Sequence, residues 1–512
     1  MSKKIAAFTI IARNYIPQAL ILIDSYTKLH PDHNFFLIFI DDKKKKIKNA
    51  ISINASDIDN IPNLNAIRFK YDITEYSTCL KPYVMEYILR KFQLEKIIYI
   101  DPDICFYNRL DLILNKLDNY DCVLIPHITK PYPDKHNPTE IEIAKVGLYN
   151  LGFAAFKKNK KTIQFFRWWQ NKLNLFCYND PEEFMFTDQK WMDFAPVYLD
   201  TYIVKEKGYD VAYWNLHEYI NVFPIEKIVF FHFSGFVIND VFISKYQNRF
   251  KLKEIKEYKQ FFERYAKKMK SLVAYQQKNY KYPFNYFSNE EKISITIRRI
   301  YGKINKDYFF KLNKNPFNTK PINSFYNYLL SPNKKNGVLN LINDLYNTNN
   351  NLQREFPRLE FNLNNFEFRE YLSWLVAFGE KEYGLSRKLV NAIEKNTRLI
   401  KFKKAGLISL IEQIKKNYSG TLFVQKIYSV LLKRYPDDLG FSVNLQDIQN
   451  KNFYKNRVIY RLINSDEFKR KNKLTIELKM YMLFLVFISY IYKTFEFFLD
   501  FFFPKKTILK QG

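Results

Sequence analysis

The chain has 512 residues, is 47% hydrophobic and 18% aromatic, and carries 81 Lys+Arg against 52 Asp+Glu, a net charge of +29. This apolar content excludes a disordered protein, and the length exceeds what one core serves, so roughly two to four domains are expected. The positive charge suits an anionic substrate or an anionic membrane surface; with no helix-turn-helix, zinc-finger or RNP-type signature, nucleic acid is not expected as a partner. Part of the Lys, Asn, Ile, Tyr and Phe enrichment also follows from an AT-biased coding composition.

Residues 5–12 form a continuous apolar run, the look of a parallel strand buried on both faces. A helical stripe follows over about 16–29, and a second strand runs from Phe35 to Ile40, ending in Asp41-Asp42. Residues 80–93 read as a helix, 97–100 as a third strand and Cys122–Ile125 as a fourth. Strands alternating with helices predict an α/β layer with a mostly parallel sheet, whose ligand sits beyond the carboxyl ends of the strands. The four cysteines, Cys79, Cys105, Cys122 and Cys177, form no C-x-x-C pair and read as reduced, buried thiols. Lys3 and Lys4 precede an apolar stretch that is interrupted at Arg13-Asn14, so a first strand is expected there rather than a signal peptide, and the protein is expected to face the cytosol.

Asp101-Pro102-Asp103 stands at the exit of the third strand. Two carboxylates two residues apart make a hard-oxygen site for a divalent cation, which bridges protein carboxylates to diphosphate oxygens. Taken alone, D-x-D is a weak signal that also describes a solvated turn. It is joined, in order along the chain, by Thr9–Asn14, Lys81-Pro82-Tyr83, Asn150-Leu151-Gly152-Phe153, Thr187-Asp188-Gln189-Lys190 and Phe231-His232-Phe233-Ser234-Gly235.

Together these motifs resemble GT-A-fold glycosyltransferases, in particular glycosyltransferase family 8 and related bacterial surface-polysaccharide glycosyltransferases. The resemblance covers about the first 240 residues. It implies a Rossmann-like nucleotide-sugar-binding domain in which Thr9, Ala12 and Asn14 meet the nucleotide. Lys81 would meet the diphosphate. Asn150 and Gly152 would line the donor sugar, with Gly152 leaving room for it, and Gly235 would bring backbone close to phosphate. Asp101, Asp103 and His232 would hold Mn²⁺ or Mg²⁺, with Asp101 also near the ribose. Asp188 and Gln189 are assigned to sugar positioning near the anomeric carbon. A UDP-sugar donor and a retaining outcome are implied as well. Trp191 and Tyr213–His217 are candidates for stacking on sugar rings or for core packing. Phe236-Val237-Ile238 stands where many members carry Lys-Pro-Trp.

The expected domains are a catalytic domain at 1–255, a helical extension at 256–420, a small helical domain at 421–472 and an amphipathic membrane-associating helix at 473–512. Ile427-Tyr428, Arg434, Pro436-Asp437, Gly440 and Ser465-x-Glu467-Phe468 resemble a small helical domain of unknown function. From Met480 to Phe503 the chain is nearly all apolar, about 36 Å if helical, long enough to span a bilayer. Lys479, Ser489, Lys493, Glu496 and Asp500 nevertheless fall on one narrow face, which favours a helix lying in the interface of an anionic membrane over one that spans it or packs on protein. The expected activity is sugar transfer from a nucleotide-sugar to a glycan or lipid-linked acceptor at the cytosolic membrane face. The alternative is a non-catalytic adaptor that binds membrane or nucleic acid through its basic helical region.

Overall fold

A computed structural model describes residues 4–275, 280–303, 314–330, 345–346, 366–399, 407–418, 420–432, 438–449, 454–471 and 477–486. Two compact units divide the chain, Met1–Tyr328 and Leu329–Gly512. The first contains β1 (Ile5–Ile11), β2 (Asn34–Phe39), β3 (Ile51–Asn54), β4 (Lys96–Ile100), β5 (Ile104–Phe106), β6 (Cys122–Pro126), β7 (Tyr149–Lys157), β8 (Asn179–Asp180), β9 (Met185–Phe186), β10 (Thr201–Ile203) and β11 (Phe230–His232). Its helices are α1 (Ile16–Leu29), α2 (Leu64–Lys70), α3 (Ile73–Cys79), α4 (Lys81–Lys91), α5 (Asp111–Asn119), α6 (Glu140–Val146), α7 (Lys160–Phe176), α8 (Ala195–Tyr198), α9 (Lys259–Ser271) and α10 (Ile295–Lys303).

The unit is mixed α/β. Its seven-stranded sheet runs in the order β10-β6-β7-β4-β1-β2-β3. Pairing is parallel except at β7, which lies antiparallel between β4 and β6. Both faces are covered, which is why the strands read as unbroken apolar runs. Phe8, Ile10, Phe36, Ile38, Ile97 and Tyr99 face one core, with Tyr83, Ile88 and Trp169. Ala7, Ile11, Leu37, Phe39, Ile98 and Ile100 face the other, with Leu22 and Tyr26 of α1 and Ile113 of α5. All four cysteines are free and buried.

The reversed strand is what the apolar pattern did not announce. Because β7 runs against its neighbours, its first residues lie at the carboxyl ends of β4 and β6. The register sets Phe153 opposite Ile100, and Asp101 N–H donates to Gly152 O at 2.7 Å. A two-stranded ribbon continues this edge. There β5 pairs antiparallel with β11, with Ile104 opposite His232.

Residues 280–303 pack on this same unit. Arg298 is 1% exposed, and its guanidinium donates to the carbonyls of Arg68, Phe69, Tyr71 and Phe284 and to Asn285 Oδ1 at 2.6–3.0 Å. Phe69 is ringed by Phe287, Tyr301, Phe317 and Phe325, with centroids 4.8–5.5 Å away. Five donors in a fixed fork suit a cluster of carbonyls, and no other side chain supplies that geometry.

The second unit is helical. Its helices are Phe366–Tyr383, Arg387–Leu399, Leu407–Asn417, Gly420–Leu432, Asp438–Gln449, Tyr454–Asn464 and Asp466–Lys471. Residues 477–486 are also helical. Leu478, Tyr481 and Leu485 join a core with Ile411, Phe423, Ile427 and Ile459, while Met480, Leu483, Phe484 and Val486 are exposed. The rest of the expected terminal helix, 473–476 and 487–512, lies outside the described residues. Among the described residues no helix is long and apolar enough to cross a membrane.

Replacing Arg298 by Met leaves several buried carbonyls without donors. This is expected to cost on the order of 3 kcal/mol, read as a lower urea midpoint for unfolding of the first unit. An unchanged midpoint would show that Arg298 does not anchor residues 280–303.

Candidate functional site

A cavity of about 940 Å³ opens at the carboxyl ends of the strands. Ala12, Asn14, Lys81, Asp101, Asp103, Asn150, Gly152, Asp188, Gln189, His232 and Gly235 all line it. Thr9 does not; it is fully buried in β1, and its hydroxyl has no hydrogen-bond partner among the described residues. Of the stacking candidates, Tyr213 and Trp214 line the cavity. Trp191 instead packs among Trp168, Phe176 and Phe194 and donates to Phe176 O.

Asp101, Asp103 and His232 each present a ligand atom within 4.8 Å of the others. His232 Nε2 lies 3.1 Å from Asp103 Oδ1 and 3.8 Å from Asp101 Oδ2. The β5–β11 pairing makes this meeting possible, and Phe233 N–H donates to Asp103 O at 2.9 Å to close the ribbon end. Two carboxylates and one imidazole in this spacing fit a divalent cation such as Mn²⁺ or Mg²⁺. Burial opposes charge on the His232 ring, but Asp103 and Asp210 outweigh it and carry its pKa well above the usual value.

Two glycines are required by close approach. A Cβ on Gly152 would stand 2.3 Å from His232 Cε1 and 2.7 Å from Asn150 Oδ1. The space beside Gly152 is thus taken by the imidazole. Gly235 has φ +67°, and a Cβ there would meet Tyr246 Cδ2 at 2.5 Å and Ser244 Oγ at 2.6 Å.

On the α4 side, Lys81 and Asp188 form a buried ion pair of 2.8 Å. Pro82 helps open α4 and leaves Lys81 at its first position. The ammonium also donates to Leu151 O at 2.8 Å and sits 4.1 Å above the Tyr99 ring. Burial pushes the Asp188 carboxyl up, against the pull of Lys81. Gln189 spends both ends of its amide on backbone, accepting from Leu151 N–H at 2.9 Å and donating to Val146 O at 3.1 Å. It thereby ties β7 to the end of α6.

Asn150 accepts from Gly152 N–H at 2.9 Å, and its amide nitrogen lies 3.2 Å from His127 Nε2. His127 is one residue that sequence reasoning missed. Another is Asp210, fully buried with Oδ1 3.2 Å from His232 Nδ1. Neither belongs to a spaced motif. The one signal for Asp210 was a lone acid before the apolar pair Val211-Ala212. At the strand ends, Asp41 accepts from Arg13 and Tyr280, each at 2.8 Å, and Asp42 pairs with Arg68.

No protein-family model matches the chain. The chain is 25% identical over 258 residues to an uncharacterized protein, YfnF, of Bacillus subtilis (strain 168), covering 45% of this chain and 81% of that protein. Solved structures similar to part of it include a galactosyltransferase, LgtC, in complex with donor and acceptor sugar analogs (12% identity, 52% of this chain, 95% of that one, TM-score 0.33). Others are the glycosyltransferase GlyE of Streptococcus pneumoniae TIGR4 (11%, 56% and 67%, TM-score 0.32) and mouse xyloside xylosyltransferase 1 (13%, 45% and 97%, TM-score 0.28).

Gly152→Ala is expected to push the His232 ring away and weaken Mn²⁺ binding by about tenfold or more in a titration, with thermal unfolding showing a retained fold. Native-like Mn²⁺ affinity would show that the ring has another place to go. A second expectation concerns acid stability. Burial lowers the His127 pKa to about 4, whereas the unfolded chain takes up this proton near pH 6.5. The stabilisation is therefore complete above about pH 6.5 and lost as pH falls towards 4. Between those values His127→Gln should lose less stability than the native chain, by up to about 3 kcal/mol. Superimposable acid limbs in denaturant titrations would contradict this.

Proposed function

We propose that this chain is a metal-dependent glycosyltransferase of the GT-A type that transfers a sugar from a nucleotide-sugar, a UDP-sugar, to a glycan or lipid-linked acceptor. The observation that carries the reading is the convergence of Asp101, Asp103 and His232 with the Lys81–Asp188 pair on one cavity at the carboxyl ends of a mostly parallel sheet. Such ends are where an open α/β sheet binds its ligand. The order of six motifs resembling glycosyltransferase family 8 supports the same reading, including transfer with retention of anomeric configuration.

In this reading Asp101, Asp103 and His232 hold Mn²⁺ or Mg²⁺. A bound divalent cation supplies charge neutralisation at the departing nucleoside diphosphate. Ala12 and Asn14, just past the end of β1, bound the nucleotide. Gly235 lets backbone approach phosphate, and Gly152 acts by admitting the His232 ring. Lys81 pairs with Asp188 and orients it towards the sugar, a buried pair that depends on both partners staying in register. Asn150, linked to His127, offers its amide at the sugar end. Gln189 positions this wall through Leu151 and Val146. The acceptor enters the same cavity. Peripheral association with an anionic membrane through the terminal segment belongs to this proposal and draws support from its apolar composition and the net charge of +29.

The test is calorimetric titration of UDP, with and without Mn²⁺, into the native chain and into Asp103→Asn. Metal-dependent binding in the native chain that weakens at least about tenfold in the variant is expected. No UDP binding by the native chain in either condition would overturn the donor assignment.

A further inference from the structure

We propose that Asp210 is the positioning residue of the cation site, holding the His232 ring so that Nε2 faces Asp101 and Asp103 and is the nitrogen that offers its lone pair when a cation binds there. This rests on the reading of Asp101, Asp103 and His232 as cation ligands. The two ring nitrogens of a histidine differ in role, and the partner of one decides what the other can bind. In metal sites the nitrogen away from the ion donates to a carboxylate, carbonyl or water, and that partner sets tautomer and orientation. Here His232 Nδ1 lies 3.2 Å from Asp210 Oδ1, and Nε2 points to Asp103 Oδ1 at 3.1 Å and Asp101 Oδ2 at 3.8 Å.

Three features show that this contact is built. Asp210 is 0% exposed, and its Oδ2 has no hydrogen-bond partner among the described residues, so the imidazole N–H is the donor this buried carboxylate has. A ring flipped about χ2 would strand the charge. Asp210 also sits at φ +49°, a left-handed conformation that costs a non-glycine residue energy and that Asp tolerates better than most. The turn is clamped there. Asn215 donates to Asp210 O at 3.0 Å and accepts from Ala212 N–H at 2.9 Å, while His232 N–H donates to Val211 O at 2.8 Å. Finally, the ring is boxed on its other sides. Trp214 stands perpendicular to it at 5.1 Å, and Gly152 leaves the gap it fills. Backbone strain, a buried acid and a missing Cβ all serve one imidazole orientation.

Asp210→Asn is the diagnostic variant, because Asn accepts the same left-handed backbone and has the same size. Its amide NH₂ can donate to Nδ1, which moves the ring proton to Nε2 and blocks the ligand. Mn²⁺ affinity is measured by the free-ion EPR signal, and imidazole coordination by ¹⁴N modulation of the electron spin echo from bound Mn²⁺. The native chain should bind Mn²⁺ with the modulation of one directly bonded imidazole, absent in His232→Gln. Asp210→Asn should lose or attenuate that modulation and bind Mn²⁺ about 10- to 100-fold more weakly. If it does not fold, Asp210→Gly removes the acceptor without backbone strain and should give the same result. Native-like affinity and modulation in the folded variant would overturn the role of Asp210 and leave the cation site standing. Absence of imidazole modulation in the native chain would overturn both.

Discussion

A single imidazole surrounded by carboxylates sets the terms for the rest of the site. Asp101, Asp103 and Asp210 all come close to the buried ring of His232. Three acids gathered in a partly desolvated space repel one another, and without a positive partner such a cluster would neutralise by taking up protons. His232 supplies that charge while no cation is bound, and a bound cation supplies it more strongly. The site is therefore electrostatically coherent in both states. A second, separate balance lies on the α4 side, where Lys81 offsets Asp188. Keeping the two balances apart leaves the three proposed ligands free for the ion and gives Asp188 a fixed partner of its own.

Backbone devices bring these charges together. Reversing β7 between β4 and β6 carries Asn150 and Gly152 to the carboxyl ends of parallel strands, where a parallel β7 would have sent them to the opposite edge. Pairing β11 with β5 places His232 one residue from Asp103 across the ribbon. Gly152 and Gly235 then permit approaches that any side chain would block. Each device is individually small. Together they hold Asp101, Asp103, Asn150 and His232, from distant parts of the chain, around one cavity.

Residues beyond the motif-bearing stretch contribute by packing. In α9, Phe261, Phe262 and Tyr265 stack on Phe231, Phe233 and Phe236, so the segment carrying His232 and Gly235 is braced from behind. Residues 280–303 grip the loop around α2 through Arg298, and Tyr280 reaches Asp41 at the end of β2. Lys81 shows what such context adds to a residue. At a helix start it looks like a free cation for phosphate, yet its ammonium is engaged by Asp188, Leu151 O and the Tyr99 ring.

What was legible in the sequence was local. Strands β1, β2, β4 and β6 and helices α1 and α4 appeared at nearly their observed positions, because doubly buried strands must be apolar throughout and amphipathic helices must repeat near 3.6 residues. The six ordered motifs hold twelve expected residues, of which eleven line one cavity and Thr9 alone falls inside the core. Tertiary structure alone decided the reversal of β7, the partner of Lys81, the ring packed against Gly152, and the presence of Asp210 and His127. All of these depend on contacts between residues tens of positions apart. Composition and periodicity record which face of an element is buried, whereas the identity of the group that meets a side chain across the core is set by strand order and register.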